Sequence, residues 1–216
     1  MSEADRVKVV PSTAQVGAGE VQNVPGNNFD KHGSTNPIVT RLMDRFHSGL
    51  IEAVARFQPE SILDVGCGEG RTTKLIEQAF TVPTVGTDLE EVVLQEANTS
   101  VSAASFYAGS IYQLAHRDHG FDVVIGTEVL EHVDDPGGAV DELIRVAHRG
   151  VVVTVPHEPW WRMANMARGM YWSDLGNTPG HIQHWSPGSF RAFLDERADR
   201  VTVSTVGLWL LGSIEV

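Results

Sequence analysis

The chain is poor in most features that mark a specialised protein. It has one cysteine, Cys67, in 216 residues, which excludes an internal disulfide and any multi-cysteine metal site. Aromatic residues make up 7% of it, and no apolar run approaches the roughly 18 residues of a membrane span. Basic residues are outnumbered, 16 Lys and Arg against 28 Asp and Glu, for a formal net charge of −12. They are scattered singly, without a basic patch, and a field of that sign repels phosphate backbones, so no nucleic-acid partner is expected. Met1 to Val10 carries Glu3, Asp5, Arg6 and Lys8 with no apolar stretch, which argues against a secretory signal and for a cytoplasmic protein. What remains is a globular chain with 42% apolar residues, long enough for one α/β domain, acting on a small molecule as a monomer or homodimer.

Residues 1–36 are dense in Gly, Asn, Ser, Thr and Pro and read as a partly disordered N-terminal arm, tail-like to about Gly26 and ordered after it. From residue 37 to 216 one domain is expected. Ile38 to Phe57 repeats apolar residues at helical spacing, with Asn36 and Pro37 as its start. Short apolar strands then alternate with helices: strands at Ser61–Val65, Thr84–Thr87, Ala104–Tyr107, Phe121–Gly126 and Val151–Val155, helices at Arg71–Phe80, Glu90–Ala97 and Pro136–His148. Uninterrupted apolar strands suit a parallel sheet buried on both faces. Ser186 and Pro187 start a last helix, and Val201–Val206 and Leu208–Val216 form an antiparallel hairpin about Gly207. The fold class is therefore α/β: a Rossmann-like seven-stranded sheet, parallel with an antiparallel terminal hairpin, and helices on both faces. Residues 157–185 interrupt the alternation. They hold four of the five tryptophans, with Met163, Met166 and Met170, and read as a lid-like insert with an apolar, adaptable surface.

The first strand runs straight into Gly66-Cys67-Gly68-Glu69-Gly70. Glycines at such a turn let the backbone approach a ligand, and the helix that follows offers its N-terminus. Asp88 ends the next strand, where a carboxylate can accept both hydroxyls of a ribose. These features indicate a nucleoside ligand at the carboxyl edge of the sheet. The dinucleotide fingerprint needs G-x-G-x-x-G, whereas here the third glycine comes one residue early and Arg71 follows it. Asp64 also precedes the turn.

This pattern resembles the first motif of the class I S-adenosylmethionine-dependent methyltransferases, in particular the small-molecule members of methyltransferase type 11. Val85-Gly86-Thr87-Asp88-Leu89 is similar to the second motif of that family. The stretch from Phe121 to Val133, with Glu128-Val129-Leu130-Glu131-His132, is similar to its fourth-strand motif, and Gly180 to Ser186 to the stretch before its last large helix. The resemblance implies S-adenosyl-L-methionine as cofactor. The backbone of Gly66, Cys67, Gly68 and Gly70 would pack on its methionine part, Asp64 would order the turn or hold the amino group through water, and Asp88 would take the ribose hydroxyls. Leu89 and Ile111 would flank the adenine, Ser110 stands where the family often has Asp, and Thr127 would offer its backbone to the amino group.

Methyl transfer is an in-line displacement, and a hydroxyl acceptor also needs a base working near neutrality. His132, His157 and His181 are the catalytic candidates, and His184 lies in the same region. Methyl transfer to a small-molecule acceptor, through oxygen as the family prior, is the function expected. An NAD(P)-binding oxidoreductase and a non-catalytic S-adenosylmethionine-binding module are the alternatives. A third, metal-dependent RNA-end methylation, would use Glu128, Glu131, His132 and a later histidine. The same motif occurs in metal-free members and the acidity disfavours RNA, so no metal is expected.

Overall fold

The structure, a computed structural model, describes residues 37–101, 103–167, 175, 177, 178 and 180–216. The arm assigned to residues 1–36, with Asn36 as a helix cap, lies outside these residues, as do Met170 and Trp172 of the insert.

Helix α1 (Pro37–Ala55) leads into an alternation of β1 (Ile62–Val65), α2 (Arg71–Ala79), β2 (Thr84–Asp88), α3 (Glu91–Ser100), β3 (Ser105–Ala108) and β4 (Phe121–Thr127). A single 3-10 turn (Leu130–His132) joins β4 to α4 (Pro136–Val146), and β5 (Ala147–Pro156) follows. Helices α5 (Trp160–Ala167) and α6 (Pro187–Asp195) precede β6 (Val201–Val206) and β7 (Trp209–Glu215). The sheet order is β3-β2-β1-β4-β5-β7-β6. Strands β1 to β5 are parallel, and β7 runs antiparallel to both β5 and β6. Both β2 and β4 pair with β1, so the winding reverses there and opens a crevice at the carboxyl ends of β1 and β4. The α/β class, the parallel sheet and the terminal hairpin are as the sequence indicated.

The two-residue period of a strand divides the core into two layers. Leu63, Val65, Val124, Val151, Val153 and Val155 share one cluster with Leu143, Phe190 and Leu194 of α4 and α6. Ile62, Val123, Ile125 and Val152 share the other with Leu50 and Val54 of α1 and Ile76 of α2. Every side chain of β1 is buried, which is why its sequence shows no alternation. The caps are local. Asp135 accepts the N–H of Gly138 at 3.0 Å ahead of α4, and Ser186 and Ser189 form a capping box ahead of α6.

Two boundaries move. The helix expected to reach His148 stops at Val146, because Ala147 turns extended (φ −79, ψ 146) and pairs with Phe121 of β4. The His119 backbone N–H donates to Arg145 O at 2.9 Å, and its Nδ1 meets Ala147 O at 2.7 Å, so the loop before β4 binds carbonyls that a continued helix would use. The insert also divides differently. Trp161 and Trp185 are core, 2% and 7% exposed, whereas Trp160 is 54% exposed. Trp161 packs with Met43, Phe46 and Trp209, so α5 is anchored on α1 and β7 by one face.

Gly86 sits in a tight part of the sheet beneath the glycine turn. A Cβ there would meet the Phe106 ring at 2.5 Å and Cys67 Sγ at 3.0 Å. Gly86→Ala is expected to cost about 1–3 kcal/mol through overpacking, read as a lower urea midpoint at unchanged slope. An unchanged midpoint would show that Phe106 moves aside freely.

Candidate functional site

The turn after β1 is held by β2. Gly66 N–H and Cys67 N–H both donate to Thr87 O, at 2.8 and 3.0 Å, and Gly70 N–H donates to Cys67 O at 2.9 Å. Gly68 N–H donates to Asp88 Oδ2 at 2.8 Å, and Glu90 N–H to Asp88 Oδ1 at 3.0 Å. Gly66, Gly68 and Gly70 have φ of 71, 51 and 78, in the left-handed region that favours glycine. A Cβ on Gly66 would strike Val129, and one on Gly70 would press on Ala97 and Val101, while one on Gly68 would meet nothing within 4 Å. Gly66 and Gly70 are thus required by the protein's own packing. The open space lies above Gly68, beside Asp88.

Asp64 is fully buried under this turn. Its Oδ2 accepts the Thr73 hydroxyl at 2.6 Å, joining β1 to α2, and its Oδ1 has no hydrogen-bond partner among the described residues. Burial pushes its pKa up to about 7, the Thr73 hydrogen bond opposes this, and the charge of Asp88 adds to it. Of the two roles expected for Asp64, ordering the turn is the one these bonds display. Cys67 is backbone only: its thiol packs with Leu94, Ala97 and Phe106. Burial, with Asp64 and Asp88, pushes the thiol pKa far up, so it has no thiolate to act as a nucleophile.

The remaining cofactor candidates ring the same edge. Leu89 is 71% exposed, an apolar side chain left in water beside Asp88. Ser110 Oγ accepts from Tyr112 N–H at 3.3 Å. Ile111 is partly buried and packs against the core. Thr127 Oγ1 lies 3.3 Å from Thr72 Oγ1, linking the end of β4 to the start of α2.

Beyond β4 the backbone turns sharply. Glu128 has φ 54, and its N–H faces Thr154 O at 3.1 Å and Thr154 Oγ1 at 3.2 Å. A non-glycine residue in this conformation is uncommon and gathers at working sites. The 3-10 turn then brings Glu131 and His132 against the 180–186 segment. Glu131 O accepts the N–H of Ile182 at 2.9 Å and of Gln183 at 3.3 Å. His132 Nδ1 lies 3.0 Å from Gly180 O. One ligating atom each from Glu131, His132 and His181 falls within 4.8 Å of the others, and the His132 and His181 rings meet edge to face at 4.8 Å.

The structure therefore unites two of the three catalytic candidates and leaves His157 outside their cluster. His157 extends the line of β5: its N–H donates to Leu208 O at 2.9 Å, and it bridges to Trp185. Burial holds its ring below the usual histidine pKa. Glu128, expected beside Glu131 in a metal set, is likewise outside that cluster. Sequence reading missed Thr73, Thr87 and Glu158. The first two act through contacts that no local pattern reveals. Glu158 carries the signal that singled out Asp88, an acid at the end of an apolar strand.

Asp64 gives the site a pH signature. Its folded pKa lies above the unfolded 3.8, at about 7. The folded state therefore binds the proton more tightly, and Asp64's contribution to stability declines as pH rises between those values and is flat above. Asp64→Asn keeps an acceptor for Thr73 without the charge. It is expected to gain on wild type by on the order of 2 kcal/mol between pH 5 and pH 8 in urea unfolding. Parallel pH curves would show that the buried carboxyl titrates normally.

Comparison with known proteins agrees with this geometry. Residues 63–155 match the family model of a methyltransferase domain. The chain is 32% identical over 104 residues to norajmaline N-methyltransferase of Rauvolfia serpentina, a match covering 45% of this chain and 36% of that one. It is 32% identical over 107 residues to the chloroplastic tocopherol O-methyltransferase of Arabidopsis thaliana, covering 45% and 31%. The match thus spans about a third of the length of these curated relatives. Among solved structures, the plantazolicin methyltransferase BpumL, in complex with a triazolic desmethylPZN analog and SAH, superposes with a TM-score of 0.67 at 14% identity. That match covers 83% of this chain and 91% of that one. Glycine turn, strand order and family match converge: residues 63–155 are similar to a methyltransferase domain, within a sheet like that of the class I S-adenosylmethionine-dependent methyltransferases.

Proposed function

We propose that the chain transfers the methyl group of S-adenosylmethionine to a small-molecule acceptor through an oxygen nucleophile. The observation that carries this reading is the space above Gly68, bounded by the Asp88 carboxylate and flanked by the exposed Leu89. A nucleoside fits there. Each Asp88 oxygen takes one backbone N–H and keeps acceptor capacity for a ribose hydroxyl, and Leu89 offers an apolar face to a base. When bound, S-adenosylmethionine supplies an electrophilic methyl on a positively charged sulfur.

The protein's part is alignment, exclusion of water and removal of one proton. Held at Gly68 and Asp88, S-adenosylmethionine would supply its methyl group to the acceptor oxygen and keep the carbon–sulfur electron pair, and the hydroxyl proton would pass to a histidine. His132 and His181 fill that role, because the 3-10 turn and the 180–186 segment hold their rings together at the edge where β4 ends. Glu131, buried beside them, places its carboxyl group within 4.8 Å of the ring nitrogens. Residues 157–185 act as a lid, with α5 held by Trp161 while Trp160 and Met163 present an apolar face to solvent.

Calorimetric titration with S-adenosylhomocysteine tests the cofactor. Wild type is expected to bind it and to ignore NAD and NADP. Asp88→Ala is expected to lose about 100-fold in affinity, the equivalent of about 3 kcal/mol. Binding of a dinucleotide instead would overturn the assignment.

The proton step is tested by His132→Ala and His181→Ala. Each is expected to lower kcat about 100-fold or more with the affinity for S-adenosylhomocysteine unchanged. Turnover is expected to persist in EDTA. Loss in EDTA that a divalent ion restores would make Glu131, His132 and His181 a metal centre instead.

A further inference from the structure

At the same sheet edge stands a buried acid with no part in the chemistry above. Glu158 lies two residues beyond β5, with its side chain 11% exposed. Its backbone is pinned: Glu158 N–H donates to Trp185 O at 3.0 Å, and the neighbouring His157 N–H donates to Leu208 O at 2.9 Å. Both carboxyl oxygens are shut off from solvent, with no side-chain partner within hydrogen-bond distance among the described residues and only the pull of the Arg162 backbone N–H. A buried acceptor left in that state costs about 1–3 kcal/mol, which calls for an explanation beyond packing. The group nearest to supplying one is His184, whose Nδ1 is 3.8 Å from Glu158 Oε1 and whose ring is 39% exposed. His184 belongs to the 180–186 segment that also carries His181, so it stands on the rim of the proposed acceptor site.

We propose that Glu158 holds His184 in the tautomer protonated on Nδ1, leaving Nε2 a fixed hydrogen-bond acceptor that reads a second hydroxyl of the acceptor, beside the one that takes the methyl. This rests on the methyl-transfer reading and narrows its substrate class to small molecules with at least two hydroxyls. The proton on one ring nitrogen is set by what the other nitrogen faces, and a carboxylate is a common partner. The separation of 3.8 Å is longer than a hydrogen bond and closes with a small rotation of either side chain, as is common before a ligand arrives.

The charges at hand favour a neutral donor. Among the described residues, the charge that acts on both partners is that of Arg162 on α5. Burial lowers the His184 pKa and the Arg162 charge lowers it further, so the ring stays neutral. Burial raises the Glu158 pKa, against the pull of the Arg162 charge and backbone N–H. A cation already stands beside the pair, which disfavours an ammonium group on the acceptor. A carboxylate and a bare ring nitrogen both accept, so the acceptor must donate, and a hydroxyl does so without charge. A site built this way rejects an analogue lacking the donor far more strongly than one lacking a methylene.

A simpler role for Glu158 is to steady the start of α5 through the backbone N–H of Arg162. The test separates the two. Long-range proton–nitrogen spectra of the full chain with 15N-labelled histidine, saturated with S-adenosylhomocysteine at pH 7.5, report the tautomer of His184, assigned by its loss in His184→Gln. Wild type is expected to carry the proton on Nδ1, and Glu158→Leu to return the ring to a mixture of tautomers. A proton on Nε2 in wild type overturns the proposal, as does an unchanged Nδ1 tautomer in Glu158→Leu, which would leave Glu158 with the helix role alone. This readout needs no acceptor, so it stands or falls apart from the methyl-transfer assays. With a turned-over diol, Glu158→Leu and His184→Ala are expected to raise KM about tenfold at nearly unchanged kcat, the reverse of the split expected at His132. A fall in kcat alone would count against recognition.

Discussion

The bond from Gly68 N–H to Asp88 Oδ2 sets the cofactor side of this site. With the Thr87 carbonyl it gives the end of β2 three N–H groups of the turn after β1. The turn's shape is therefore dictated by a neighbouring strand and needs no ligand to form. That arrangement depends in turn on the register that sets Val65 against Thr87, and on Gly86, whose missing side chain lets Phe106 and Cys67 close beneath. A turn ordered before binding leaves less entropy to be lost when the ligand arrives. It also means that Asp88 holds two stretches of backbone, Gly68 of the turn and Glu90 ahead of α3, so its removal loosens both.

Two carboxyls share this turn in opposite environments. Asp88 is half-exposed and accepts two backbone N–H groups, whereas Asp64 is dry, has one hydroxyl partner and holds its proton to about pH 7. The contrast follows from geometry: backbone N–H groups stabilise a carboxylate, and burial penalises it. An acidic protein that places both acids at one sheet edge creates a field suited to a ligand with a positively charged centre.

Most of the cofactor half was legible in the sequence, because its residues are contiguous and their types are forced. Gly66 and Gly70 are required by left-handed backbone and close neighbours, and Asp88 by its place at a strand end. The fold was legible for a related reason: strands buried on both faces leave unbroken apolar runs such as Val151 to Val155. What was not legible depended on contacts across the fold. Ala147 left its helix because Phe121 pairs with it, and nothing near Ala147 in the chain says so. Trp161 and Trp185 entered the core while Trp160 stayed out, a division made by α1 and β7 around Trp161 and by α6 around Trp185. His157, similar in sequence to His132 and His181 as a candidate, was separated from them because the β5 line continues through its backbone.

The acceptor half obeys a different logic from the cofactor half. Its groups come from the 3-10 turn, the end of β5 and the 180–186 segment, which are far apart in the chain and joined by few bonds. Glu131 O receives Ile182 and Gln183, and Trp185 O receives Glu158. These backbone bonds, together with His132 Nδ1 on Gly180 O, Gln183 Nε2 on Val133 O and the buried Trp185, fix the path of the 180–186 segment. Side chains at positions 181, 182 and 184 can then change without moving the backbone, and a fixed scaffold with variable side chains is how loops on one fold acquire different substrates. The same reasoning explains why the two curated relatives, named for a nitrogen and an oxygen acceptor, match this chain over only about a hundred residues: that length accommodates the glycine turn and the strands around it. Residues 63–155, the stretch that matches the family model, contain the half that β2 orders, and the 180–186 segment lies outside that stretch.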